Sequence, residues 1–317
     1  MSRAPTCNFI VTREYRRFAE FCDACRRYRY IGLCYGPPGV GKTLSARHYS
    51  GWDRLDAISP VTGARLDEVE ALQGMCTVLY TPSVLNTPAQ VARDIKALRE
   101  SLRNLSLEPL RREDDALAAR VRRYELQRKQ EREELFQKHD WSEGPPPDEP
   151  PRTEPTWAEV GVAYTEGRRK IADPTSLVIV DEADRLRMTS LEQMRAIFDE
   201  GDIGLVLLGM LGLEKRLARY PQLYSRVGFV HEFRALQVGE VRSLLVEHWR
   251  PAEVTRSLRG ITDEDVVAAV VRITGGNFRL LHRLLAQIAR VMDINALQTV
   301  TPPVVEAARE SLVIGVS

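Results

Sequence analysis

Gly36-Pro37-Pro38-Gly39-Val40-Gly41-Lys42-Thr43 fits every fixed position of the pattern GxxxxGK[ST]. The apolar run 30–35 before it reads as a buried strand, and 44–49 after it reads as a helix. Strand, glycine loop and helix are the context in which the pattern becomes a site. The glycines let successive backbone N–H groups curl round an anion, and the helix N-terminus adds partial positive charge. Gly36, Pro37, Pro38, Gly39, Val40, Gly41, Lys42, Thr43 and Leu44 are therefore expected to cradle a nucleoside triphosphate. Lys42 should reach the β- and γ-phosphates, and the Thr43 hydroxyl should hold a Mg²⁺.

A second stretch supplies acids. Leu177-Val178-Ile179-Val180-Asp181-Glu182 is a continuous apolar run closed by two carboxylates, as in a central parallel strand with acids at its C-terminal edge. Asp181 would then orient the water shell of the Mg²⁺, and Glu182 would position or deprotonate the attacking water. The two acids lie about 140 residues after Lys42, an excess explained by a charged insertion.

Working outward, further strands are expected at 75–80, 203–210 and 227–230. Strands alternating with helices predict an α/β fold, a five-stranded parallel sheet with helices on both faces. Beyond residue 236 the pattern is wholly helical, with helices expected at 239–249, 266–273, 278–291 and from 301. The expected organisation is a leader and helix over 1–30, a nucleotide-binding domain over 31–235, and a helical lid over 236–317. In the leader, Thr12 should cap a helix with Tyr15, Phe18, Cys22 and Cys25 on its apolar face. Thr87-Pro88 should open another helix, and Pro60 and Gly63 mark turns.

Residues 99–170 differ in composition. Arg111 to His139 is crowded with alternating charge over a thin stripe of Leu117, Val121 and Tyr124, which predicts one or two long helices. A proline-rich connector at 144–151 follows. The charge run reads equally as a solvated helix and as an arm that meets a partner.

Composition bounds the rest. The chain has 317 residues, 44% hydrophobic and 28% charged, as in ordinary globular proteins, and a formal net charge of only +1. No global basicity advertises nucleic acid, although a local basic surface fits within that balance. The N-terminal residues carry no apolar signal segment, and the longest apolar stretch, 203–213, is too short to span a bilayer. Five scattered cysteines suit a reducing cytoplasm. The Cys22/Cys25 pair, with no second pair at zinc spacing, reads as core packing.

Asp181-Glu182-Ala183-Asp184 spells the signature of a large helicase family, but the residues after 236 cannot make the second α/β domain with arginine motifs that such helicases need. No Asn-Lys-x-Asp reads guanine, and no Leu-Ser-Gly-Gly signature indicates an ABC-type ATPase.

With these set aside, the chain resembles the AAA+ ATPases, whose sheet domain is followed by a small helical lid. The resemblance implies ATP and Mg²⁺ as cofactors. It places an arginine finger at Arg226 in Tyr224-Ser225-Arg226, acting in trans on the neighbouring subunit's nucleotide, with Arg216 and Arg219 as competitors. It matches Arg279 of Gly275-Gly276-Asn277-Phe278-Arg279 to the lid arginine that touches the nucleotide in cis. One departure stands out: Gly209-Met210 ends the fourth strand, where many AAA+ proteins carry a polar residue, and slow turnover is expected.

Within AAA+, the residues 177–186, 209–217 and 276–281 resemble the TniB/TnsC-like and MuB-like regulators of DNA transposition. That implies a homo-oligomeric ring or filament, assembled non-specifically on double-stranded DNA, that recruits a transposase. Family geometry points to Ser83, Asn86, Thr87, Arg93 and Lys96 as DNA contacts; for Arg93 and Lys96 an ordinary helix surface is the competing reading. Two other classes compete for the whole chain: an ATP-switched signalling scaffold of STAND or phage-defence type, and a replication-initiator or helicase-loader ATPase.

Overall fold

The computed structural model describes residues 9–52, 54, 72, 74–139, 144, 156–247, 254 and 257–312. The turns expected at Pro60 and Gly63, the prolines of the connector and Trp249 lie outside these residues. Contacts divide the chain into two compact units, one of residues 1–57, 76–96 and 176–317, the other of 58–75 and 97–175.

The first unit is built on five strands: β1 (Ile31–Tyr35), β2 (Thr77–Tyr80), β3 (Leu177–Val180), β4 (Gly204–Gly209) and β5 (Val227–Glu232). They pair in the order β2-β3-β4-β1-β5, every pair parallel. β3 and β4 are buried along their whole length, which is why both read as unbroken apolar runs. β5 lies at an edge; there His231 is buried while Val230 is exposed. The register sets Tyr80 beside Val180, Val180 beside Leu207 and Gly209 beside Tyr35. The C-terminal ends of β3, β4 and β1 therefore lie side by side. The expected α/β class, sheet and strands are all present.

Helix α1 (Arg13–Tyr28) is capped by the Thr12 hydroxyl, which accepts from the Tyr15 amide at 3.1 Å. Its buried face is Phe18, Phe21, Cys22 and Cys25, with Glu14 where Tyr15 was expected. Both cysteines are fully buried; burial holds the Cys22 thiol well above its usual range and pushes that of Cys25 up to about 12. Such thiols are inert packing groups. Cys34 is buried as well, but Cys76 is only half-buried and accepts from Arg26 Nη1 at 3.2 Å.

The helix lies so close to the sheet that a Cβ at Gly204 would meet the Cys25 carbonyl oxygen at 2.6 Å. Neither backbone can yield cheaply, so Gly204→Ala should lower unfolding stability by about 1–3 kcal/mol. A urea unfolding curve reads this directly; an unchanged midpoint would contradict the close packing of α1.

Helix α2 (Lys42–Ser50) follows the glycine loop. Helix α3 (Pro88–Lys138) begins in the first unit and continues into the second, and the Thr87 hydroxyl accepts from the Gln90 amide at its start. A helix opened at Pro88 and one or two further long helices over 111–139 were expected here. Instead a single helix of 51 residues runs through Pro109. An interior proline removes one helical bond and costs about 3 kcal/mol, and bonds on either side of it offset that cost. Arg103 Nε donates to the Ile171 carbonyl at 3.1 Å, and Asp114 Oδ2 accepts from the Tyr164 amide at 3.1 Å. In the second unit α3 thus holds the segment containing α4 (Val162–Lys170), where Gly167 gives Leu110 room to pack.

The first unit continues with a short 3₁₀ turn (Ala183–Arg185), α5 (Met188–Glu200), α6 (Leu213–Leu217) and α7 (Pro221–Tyr224). Among the described residues four more helices follow: α8 (Val238–Val246), α9 (Glu264–Thr274), α10 (Phe278–Ile294) and α11 (Pro302–Glu310). They share a core that includes Val241, Leu245, Val270, Leu284, Leu285 and Val305. No helix among the described residues is long and apolar enough to cross a membrane.

Candidate functional site

A cavity of about 550 Å³ opens over the C-terminal ends of β1, β3 and β4. Pro38, Gly39, Gly41, Lys42, Thr43 and Leu44 line one side, and Asp181, Glu182 and Asp184 another. Met210 and the α10 residues Phe278, Arg279, His282 and Arg283 complete it. Parallel α/β sheets place ligands at this edge, where connections leave neighbouring strands in opposite directions.

The loop geometry follows from its glycines. Gly41 (φ +107°) and Gly39 (φ +81°) adopt left-handed backbone, and a Cβ on Gly39 would sit 2.6 Å from Asn277 Oδ1. That space is taken by the first turn of α10. Asn277 caps this helix, its Oδ1 accepting from the amides of Arg279 and Leu280 at 3.1 and 3.2 Å. Its Nδ2 donates to the Pro38 carbonyl at 2.8 Å, and the Arg279 amide donates to the Gly39 carbonyl at 2.9 Å. The loop is therefore gripped from the C-terminal helices through its own carbonyls.

Lys42 Nζ donates to the carbonyls of Gly36 and Pro37 at 2.7 and 2.8 Å. Burial holds its pKa below the ordinary lysine value, while Cys34, Asp181 and Asp184 pull the other way. Asp181 is buried, with Oδ1 accepting from the Glu182 amide at 2.9 Å. Glu182 has left-handed backbone (φ +51°), an uncommon conformation for a non-glycine residue that turns the chain sharply at the end of β3. Its carboxylate pairs with Arg185. Both side chains are about two-fifths exposed (44% and 41%), so the pair is worth about 0–1 kcal/mol.

Thr43 and Asp181 offer hard oxygen donors to one cavity, which fits a Mg²⁺ held with a polyphosphate. Among the described residues no cluster of three or more His, Cys, Asp or Glu could hold a metal by protein ligands alone.

The three candidate finger arginines lie in different settings. Arg216 is committed to the chain's own backbone, donating to the carbonyls of Asp184 (2.7 Å) and Leu186. Arg226 pairs with both oxygens of Asp199 at 2.6 and 2.9 Å. Arg219 is exposed and makes no ion pair among the described residues. Arg279 lines the cavity.

The candidate DNA residues separate as well. Asn86 is 2% exposed and its Nδ2 donates to the carbonyls of Ser83 and Arg185, both at 3.0 Å. It braces the loop after β2 against the turn after β3, so the expectation that it touches DNA is corrected. Ser83 Oγ donates to the Leu85 carbonyl at 2.6 Å, and Thr87 is spent on capping α3. Arg93 and Lys96 are exposed, three residues apart on one face of α3.

Asp184, quoted above only as the end of the Asp181-to-Asp184 signature, was given no role in the site from sequence, and His282 and Arg283 were not singled out at all. The two on α10 follow Arg279 at helical spacing, a signal that could have found them once Arg279 is turned toward the cavity.

Residues 25–217 match the family described as AAA domain. A Staphylococcus aureus protein described as "Potential ATP-binding protein" is 36% identical over 319 residues, with 98% of each chain covered. The Mu-like prophage FluMu DNA transposition protein B of Haemophilus influenzae is 30% identical over 123 residues, 37% of this chain and 41% of that protein. The crystal structure of Cdc6p from Pyrobaculum aerophilum superposes with a TM-score of 0.50 at 13% identity, covering 100% of this chain and 70% of that one, a likeness of fold alone.

Proposed function

The chain belongs to the AAA domain family of ATP-binding proteins, and from that premise we propose that it is a Mg²⁺-dependent ATPase that assembles in several copies on double-stranded DNA and recruits or activates a transposase there. One observation carries the enzymatic part: the glycine loop, the two acids after β3 and Arg279 meet round a single cavity. The similarity to the prophage transposition protein supports the biological part.

Each residue has a task the geometry permits. Amides of the loop and the α2 N-terminus bind the phosphates, Lys42 neutralises charge on them, and Thr43 and Asp181 hold the cation. A bound Mg²⁺ supplies charge neutralisation on the triphosphate. Glu182 takes the proton of the attacking water. Arg279 clamps the nucleotide in cis and Arg226 reaches it from the neighbouring copy. Arg93 and Lys96, repeated once per subunit, give DNA affinity that grows with the phosphates neutralised and falls steeply with salt.

Glu182→Gln keeps shape and hydrogen bonding but cannot accept a proton. Its ATP turnover should fall by about 10²–10⁴-fold while ATP affinity stays unchanged. With ATP and duplex DNA it should accumulate as rings or filaments, visible by electron microscopy and by sedimentation. A variant that stays monomeric under these conditions would refute the assembly reading.

A further inference from the structure

β4 ends between the glycine loop and Asp181, in the middle of the cavity's floor, yet it brings only Gly209 and the exposed Met210 there. The space beside Gly209 is already filled. A Cβ on this residue would lie 2.8 Å from both carboxylate oxygens of Asp184 and 2.5 Å from Leu213 Cδ2. Asp184 comes from the 3₁₀ turn after the neighbouring strand β3, and its Oδ2 accepts from the Met210 amide at 2.8 Å. The turn is held in place by Arg216, which donates to the carbonyls of Asp184 and Leu186. The missing side chain on β4 is thus the room that a carboxylate from β3 occupies.

From this we infer that Asp184 is a further catalytic residue of the cavity, latching the end of β4 through Oδ2 and orienting the attacking water through Oδ1. Among the described residues nothing donates to Oδ1, and the side chain lines the cavity with Lys42, Thr43 and Asp181. The inference rests on the ATPase reading. In hydrolysis the water oxygen bonds to the γ-phosphorus as the bond to the bridging oxygen of the ADP leaving group breaks. One water proton passes to Glu182, and Asp184 accepts a hydrogen bond from the other without taking it. A carboxylate so placed repels the triphosphate while serving the step, so its effects on binding and on turnover have opposite signs.

The full-length chain with Mg²⁺, ATP and duplex DNA tests this. Asp184→Asn keeps an acceptor for the Met210 amide but can turn an NH₂ toward the water. It should bind a fluorescent ATP analogue as tightly as the wild type or up to about tenfold more tightly, with kcat lowered by about 10–100-fold. Asp184→Ala, which also loses the latch, should show the same loss of kcat and a lower melting temperature. A kcat for Asp184→Asn within twofold of wild type overturns the inference. So does a loss of ATP affinity that parallels the loss of kcat, since that marks a residue that merely holds the fold or the cation. A wild type that releases no phosphate under any of these conditions instead refutes the ATPase reading, and this inference with it.

Discussion

Replacing Lys42 with alanine is expected to abolish ATP binding. Lys42 lines the cavity and its Nζ lies on the Gly36 and Pro37 carbonyls of the glycine loop, which puts its charge beside the proposed phosphate site. Charge-assisted hydrogen bonds are worth about 1.5–3 kcal/mol each. Losing two such bonds to the phosphates would cost roughly 3–6 kcal/mol, a loss of about 10²-fold or more in affinity. The loop itself should survive the change, because Asn277 and the Arg279 amide still grip the Pro38 and Gly39 carbonyls. The variant does lose the Lys42 bonds to the Gly36 and Pro37 carbonyls, so its melting temperature without nucleotide should fall without the fold being lost, while titration with a fluorescent ATP analogue shows no saturation. Arginine should rescue poorly, since its planar fork cannot fit the space of a compact ammonium. Binding by Lys42→Ala within threefold of wild type would remove this loop from the nucleotide site altogether.

Much of this site was legible because its signals are local. The loop pattern, the apolar run ending in Asp181 and Glu182, and the caps at Thr12 and Asn277 are each written within a few consecutive residues. Local chemistry suffices to read them. The failures share one cause, contacts made across long sequence separations. Asn86 sits in a polar loop and looks available to DNA, but its amide is bonded to the Arg185 carbonyl, 99 residues away. The charge run reads as one or two helices separate from the one opened at Pro88, yet α3 runs unbroken from Pro88 to Lys138, and Arg103 and Asp114 on it find partners beyond residue 160. Gly209-Met210 reads as a gap in the site, since nothing near it in sequence announces the Asp184 carboxylate that fills the space. The same long-range logic reorders the arginines. Arg216, Arg219 and Arg226 are near-equivalent in sequence, but one supports a turn, one is unpaired among the described residues and one is paired with Asp199.

That pairing decides what to expect of Arg226→Ala. The two side chains are each about one-third exposed (34% and 30%), so the ion pair contributes about 0–1 kcal/mol. An arginine supplied to a neighbour's γ-phosphate lowers the barrier by about 4 kcal/mol or more, equivalent to about 10³-fold in rate. The catalytic gain outweighs the cost of breaking the ion pair, so the contact with Asp199 does not disqualify Arg226. Arg226→Ala should therefore bind ATP like the wild type and hydrolyse it at least about 10²-fold more slowly on DNA. Mixing it with Lys42→Ala makes the test specific. Lys42→Ala subunits cannot bind ATP but still present Arg226, and Arg226→Ala subunits bind ATP but lack the finger. Each alone should be inactive, and an equal mixture should recover a measurable fraction of wild-type phosphate release, because in mixed assemblies some sites draw both halves from intact residues. A role for Arg226 confined to its own subunit gives no recovery. If Arg226→Ala turns over normally, the same mixture made with Arg219→Ala transfers the role to Arg219, whose side chain needs no bond broken to reach a neighbour.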